Sequence, residues 1–258
     1  MDAEEIRSED DRLIVNDVAR AVEERELIAY YQPLVDLESM EVVGAESLVR
    51  WTMPDGTVVP AGLFVPSLDR TGTIFGLDWF MAEDVCAFLS SVVGTPAFVP
   101  ISLNFSARHA SHHDFAKSLL ATIGWHEGVT PDCVRVELSE GIVLKGDPEV
   151  DALVDDVLAS GVAVVADKCE LGVEGLDRLA RRGIGFAKIS RAWWAEHSDE
   201  ELAQLVREAA AKGIRISAEG VEQAEEARRL KDAGFTCAQG FGLGRPEDGA
   251  AFIRTCEK

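Results

Sequence analysis

Much that would assign this chain to a class is missing from it. No apolar run approaches the roughly 18 residues needed to span a bilayer, so no membrane segment is expected. The N-terminal MDAEEIRSEDDRLI lacks the basic start and apolar middle of a secretory signal, which points to a cytoplasmic location. The five cysteines, Cys86, Cys133, Cys169, Cys237 and Cys256, form an odd set without a CxxC spacing, which argues for reduced thiols and against a disulfide or zinc framework. Positive charge is scarce: 25 Lys and Arg stand against 46 Asp and Glu, a formal charge of −21 that repels a polymeric nucleic acid. That balance does not exclude a small phosphodiester, because a few local Arg, Lys or metal charges neutralise two phosphates. Ser/Gly-rich linkers, repeats and low-complexity segments are absent too. The 258 residues are therefore read as one domain, 1–258, with 1–25 as a leading helical segment packed outside 26–258.

What is present is an alternation of short β-branched runs with longer segments of helical period, the pattern of a parallel sheet with crossover helices. Strands are expected at 27–33, 41–49, 99–104, 133–137, 162–167, 185–189, 215–219 and 236–239. Helices are expected at 78–92, 111–123, 148–160, 174–182, 199–212, 222–233 and 246–255. Eight strands close a barrel. The connection between the first two, 35–40, is too short for a helical crossover, so they pair antiparallel. The expected fold is an α/β, modified (β/α)8 TIM-like barrel with an antiparallel first strand.

Polar residues close nearly every strand: Glu46 inside the second, then Asn104, Glu137, Asp167, Lys188, Glu219 and Gln239. In such barrels these ends converge on one mouth. Four carboxylates gathered there repel one another unless a cation binds or a pKa rises. Oxygen donors and one amide, without Cys or His, suit magnesium, manganese or calcium. A lysine among them orients a water or stabilises phosphoryl charge.

Seven blocks carry a resemblance: YYQPLVDL at 30–37, GAESLVRW at 44–51, SLNFSARH at 102–109, VELSE at 136–140, AKIS at 187–190, AEGVE at 218–222 and QGFGLGRP at 239–246. In this order, from about Ala19 to the end, they resemble the EAL domain family. The resemblance implies hydrolysis of the bacterial second messenger cyclic di-GMP to pGpG by two divalent metals. It implies that Glu46, Asn104, Glu137 and Asp167 hold the first metal with Glu219 nearby, that Lys188 contacts the attacking water, and that Gln32, Arg50, Gln239 and Pro246 contact the dinucleotide. A homodimer is the family's habit, but the loop that supports it is among the parts altered in this chain, so the oligomeric state stays open. Ser47 replaces the alanine of the name motif, a tolerable change.

Two departures fall on the half of the site that holds the second metal. The family has paired aspartates where this chain has Asp167–Lys168, and its lysine motif ends in aspartate where this chain has Ser190. If Lys168 points inward, its ammonium about 4 Å from a divalent ion opposes binding by on the order of 8 kcal/mol at an effective dielectric constant near 20. If it swings into solvent, the site is merely short of ligands. Cys169 and Glu170 open a loop, 169–175, that matches the family only at Gly172, so Glu140, which steadies that loop in active members, is expected to be solvated.

One divalent metal at most is therefore expected, with the second lost and little or no turnover. The reading is a degenerate EAL domain serving bacterial signal transduction as a regulatory module, and two partners stay open: cyclic di-GMP or a regulatory protein. The alternative is an active metal-dependent cyclic di-GMP phosphodiesterase in which Lys168 turns away. His112–His113–Asp114 is read as an exposed helix start and not a metal cluster, and Trp193–Trp194 as residues that pack a connecting helix on the barrel.

Overall fold

A computed structural model describes residues 14–170 and 173–258. The N-terminal half of the expected leading segment, and Leu171 and Gly172 of the altered loop, lie outside the described residues. Strands β1 (Leu27–Asp36) and β2 (Val42–Thr52) form the expected antiparallel pair. Their turn is fixed by Asp36, whose Oδ1 accepts the N–H groups of Glu38 and Ser39. The register sets Gln32 directly opposite Glu46. A three-residue strand, β3 (Val58–Pro60), adds to the far edge of β2.

From β2 the sheet continues in parallel through β4 (Ile101–Asn104), β5 (Val134–Ser139), β6 (Ala163–Cys169), β7 (Phe186–Ile189), β8 (Arg215–Ala218) and β9 (Cys237–Ala238). β9 then meets β1 antiparallel, through Val35 opposite Ala238 and Asp36 opposite Cys237, which closes the eight-stranded ring. All eight expected strands are found. β3 is extra, and too short to carry an alternation that sequence reading detects.

The helices are α1 (14–23), α2 (Val65–Thr71), α3 (Ile74–Ser91), α4 (Phe115–Gly124), α5 (Glu140–Val143), α6 (Pro148–Ala159), α7 (Val173–Arg181), α8 (Arg191–Trp194), α9 (Asp199–Ala211), α10 (Ala224–Asp232) and α11 (Gly249–Cys256). Their ends obey local chemistry. Ser198 and Glu201 form a reciprocal capping box at the start of α9, and Gly213 just beyond it takes φ 72, where a Cβ would be strained. α4 begins four residues later than the sequence suggests, because 107–111 forms a separate 3-10 turn capped by the Ser106 hydroxyl.

Strand alternation divides the chain's chemistry. On β5, Val134, Val136 and Leu138 are buried against the helical layer, while Arg135, Glu137 and Ser139 share the opposite, inward face. Each fully buried aliphatic of that layer contributes roughly 1.5–3 kcal/mol by leaving water. Val18 and Ala21 of α1 join the same core.

Candidate functional site

The inward side chains at the strand ends meet on Lys188. Its Nζ lies 2.6 Å from Glu46 Oε2, 3.0 Å from Glu137 Oε2, 3.0 Å from Glu219 Oε1 and 3.7 Å from Asp167 Oδ1. Five elements thus deliver one ammonium and four carboxylates to the mouth of the barrel. Asn104 Nδ2 donates to Glu46 Oε1 at 2.8 Å, and Gln239 Nε2 donates to Glu46 Oε2 at 3.0 Å. All seven polar strand-end residues named from sequence therefore occupy one cluster.

One cation does not balance four acids, and the electrostatics record the deficit. Burial, followed by the repulsion of Glu46 and Asp167, pushes the Glu137 carboxyl up to about 8 despite its contact with Lys188. Burial, partly offset by Lys188, raises Glu219 to about 7. Glu46 is held below the usual range: burial opposes this, but Lys188, Asn104 and Gln239 together prevail. The four acids hold Lys188 well above the ordinary lysine value against a strong burial penalty. Asp167 Oδ1 is buried and has no hydrogen-bond partner.

These donors fit one hard divalent cation: carboxylate oxygens, an amide and an orphaned buried oxygen. Among the described residues no three His, Cys, Asp or Glu side chains stand ready-spaced as a metal cage, because the acids are drawn onto the ammonium.

The altered half is organised differently. Between Ala166, opposite Ala187, and Cys169, opposite Ile189, β6 carries one residue more than β7. The backbone absorbs it at Lys168, which takes φ 54. Its side chain is 78% exposed, so Lys168 does not fill a buried cation position; the inward alternative does not hold. Its Nζ nevertheless stays 3.9 Å from Asp167 Oδ2. Ser190 caps α8, its hydroxyl accepting the Trp193 N–H at 3.3 Å. Cys169 is buried, with its thiol pushed well up by burial and turned to the Ala166 carbonyl. Glu140 is not merely solvated as expected: its Oε2 accepts the Glu170 N–H at 2.8 Å.

Of the residues assigned to ligand contact, Gln32 is buried and donates to the Gly244 carbonyl at 3.2 Å. Arg50 is half-buried, its guanidinium on the Val49 carbonyl and 5.7 Å from the Tyr30 ring centre, with no carboxylate at salt-bridge distance among the described residues. Pro246 sits half-buried beside Glu247, which bridges to Tyr31. The 239–246 segment is fixed by close approach. A Cβ on Gly240 would lie 2.1 Å from the Val221 carbonyl oxygen, and one on Gly244 would lie 2.2 Å from Pro33 Cγ. A groove of about 420 Å³ runs from the acids past Leu48, Val65, Pro66 and Leu77.

Sequence reading missed the residues that hold this arrangement. Asp78 Oδ2 accepts the Ser106 N–H and contacts His109 Nε2 at 3.0 Å, both buried, so α3 anchors the loop that follows Asn104. Trp194 is buried, as expected, and its indole donates to the Glu219 carbonyl at 2.7 Å. Arg191 grips Glu226 through two nitrogens and reaches the Gly220 carbonyl, while Glu226 also accepts the N–H groups of Glu222 and Gln223. Only the tryptophan pair carried a hint in sequence, as aromatics beside a strand end. His112 and His113 are exposed and shortly precede α4.

A parallel barrel closed by one antiparallel strand, with its acids and a lysine at the strand ends, defines a class of α/β barrel with a charged mouth. The EAL domain model matches residues 15–246, and the chain belongs to that family. It is 28% identical over 239 residues to the bifunctional diguanylate cyclase/cyclic di-GMP phosphodiesterase MucR of Pseudomonas aeruginosa, covering 90% of this chain and 35% of that protein. It is 26% identical over 248 residues to the cyclic di-GMP phosphodiesterase RocR of the same organism, covering 94% of this chain and 63% of that one. The chain thus spans between a third and two thirds of the length of these relatives. The structure of the PaMucR phosphodiesterase in complex with c-di-GMP superposes with a TM-score of 0.83 at 26% identity, over 93% of this chain and 99% of that one. The FimX EAL domain of Pseudomonas aeruginosa shares the fold, with a TM-score of 0.78 at 18% identity over 91% and 96%.

Proposed function

We propose that this chain is a regulatory EAL domain that binds cyclic di-GMP and hydrolyses it poorly or not at all. The observation that carries the reading is the Asp167–Lys168–Ser190 corner: one acid, an exposed ammonium 3.9 Å from it, and a hydroxyl spent on a helix cap. A two-cation hydrolysis needs ligands there for the ion that shares work with the first, and two of them are absent. Glu46, Asn104, Glu137 and Asp167 would hold one magnesium, manganese or calcium ion, which would supply Lewis-acid charge at a phosphoryl oxygen. Lys188 holds a proton and a positive charge at the same spot. Arg50, with no acid at salt-bridge distance among the described residues, supplies a planar fork for a phosphate, and the groove's apolar wall suits a base. The relatives named as phosphodiesterases and the c-di-GMP-bound PaMucR structure support the choice of ligand.

A second reading, a slow one-metal phosphodiesterase, is favoured by one observation: Lys168 faces solvent. One incubation separates the readings. The protein is mixed with cyclic di-GMP and excess magnesium or manganese, and free and bound nucleotide are chromatographed. Intact bound nucleotide is expected. Linear pGpG at an enzyme-like rate would establish a hydrolase, and no retention would assign the domain to protein binding alone.

A further inference from the structure

Beneath the acidic mouth the barrel carries a second polar layer of opposite sign. Arg135 and Phe186 stand two positions before Glu137 and Lys188 and share their inward face, and Arg215 lies opposite Phe186 in the β7–β8 register. The guanidinium carbons of Arg135 and Arg215 lie 4.5 and 4.2 Å from the centre of the one Phe186 ring. In a chain of net charge −21, neither has a carboxylate at salt-bridge distance among the described residues. They line a cavity of about 290 Å³ inside the barrel that is continuous with the mouth: Glu46, Glu137, Lys188 and Gln239 form its upper wall, and Arg135, Phe186 and the exposed Arg215 its floor. Asp36, also on the lining, spends its Oδ1 on the N–H groups of its own turn.

Two cations packed on one ring repel each other, and an anion in the cavity that reaches both reduces that repulsion while accepting a charge-assisted hydrogen bond from each. We propose that the floor of this cavity, one layer below the mouth acids, is a second ligand position that takes a small phosphate-type oxyanion on Arg135 and Arg215. The chemistry is shared by free phosphate and by the terminal group of a phosphomonoester.

Calorimetric titration of the whole protein with inorganic phosphate, at constant chloride-balanced ionic strength, tests this. One-to-one binding is expected, weakened at least tenfold by Arg215→Gln and by Arg135→Gln and unchanged in Arg228→Gln, a surface variant on α10. Arg215 is exposed, so its variant decides the matter even where Arg135→Gln fails to fold. Amide resonances of Phe186 and Arg215 should shift on titration, which a purely structural arginine pair would not produce. Repeating the titration with guanosine 5′-monophosphate sorts the sources: tighter binding identifies a phosphomonoester, equal or weaker binding the free ion. No phosphate binding, or binding that Arg215→Gln leaves intact or Arg228→Gln removes, overturns the proposal. Because the mouth reading is tested with cyclic di-GMP, either site can fail alone.

Discussion

Among single residues, the Lys188 ammonium governs the site, since it is what keeps four carboxylates together. Replacing it by methionine leaves buried acids facing one another, and the expected cost is about 3 kcal/mol in urea denaturation. Manganese or calcium should restore part of that loss; equal urea midpoints with and without cation would contradict the account. Lys168 is the complementary case. A non-glycine residue at φ 54 is strained by roughly 1 kcal/mol, so Lys168→Gly should raise stability by about that amount, read as a shift in the same midpoint. The double change Lys168→Asp with Ser190→Asp returns both acids, and pGpG production should rise at least about tenfold over the unaltered chain. An unchanged rate would locate the lesion elsewhere, in the 169–175 loop.

For secondary-structure elements, legibility follows length and period. Eight strands and seven helices could be read because alternation and helical repeats extend over enough residues, and the polar residues at or near the ends of seven strands marked the mouth. β3, α2, α5 and α8 were not legible, since three to seven residues carry too little period. Nor was the direction of Lys168, which depends on β6 holding one residue more than β7, a property of pairing and not of either strand alone. The Arg191–Glu226 clamp joins α8 to α10 across 35 positions of sequence and left no local sign. Arg191 holds the Glu226 carboxyl at about 2, aided by the Glu222 and Gln223 amides. The stability it contributes is present above the ordinary carboxylate value and is lost as pH falls toward 2. Glu226→Gln should therefore flatten the acid limb of a melting-temperature profile, and an unaltered limb would remove the clamp from the account.

The molecule as a whole should respond to pH through its mouth. Folded, Glu137 and Glu219 keep protons up to about 8 and about 7, whereas the unfolded chain has released them near the ordinary carboxylate value. The folded form thus binds more protons through that window, and stability falls as pH rises across it. A divalent cation that takes the place of those protons should flatten the decline, so its stabilising shift should be larger at pH 8 than at pH 6 in paired thermal melts. The ring itself is not equally strong all round. β9 has two residues, and its ladder to β1 rests on the Val35–Ala238 and Asp36–Cys237 pairs, against nine aligned pairs between β1 and β2. Its ladder to β8 has two pairs as well, Ser217–Cys237 and Ala218–Ala238, so a cylinder laced this thinly at one strand should give way at β9 first. Because Gln239 is the next residue, any ligand that grips its amide also ties the lacing, and occupancy of the mouth would be felt as a slower opening of the whole wall.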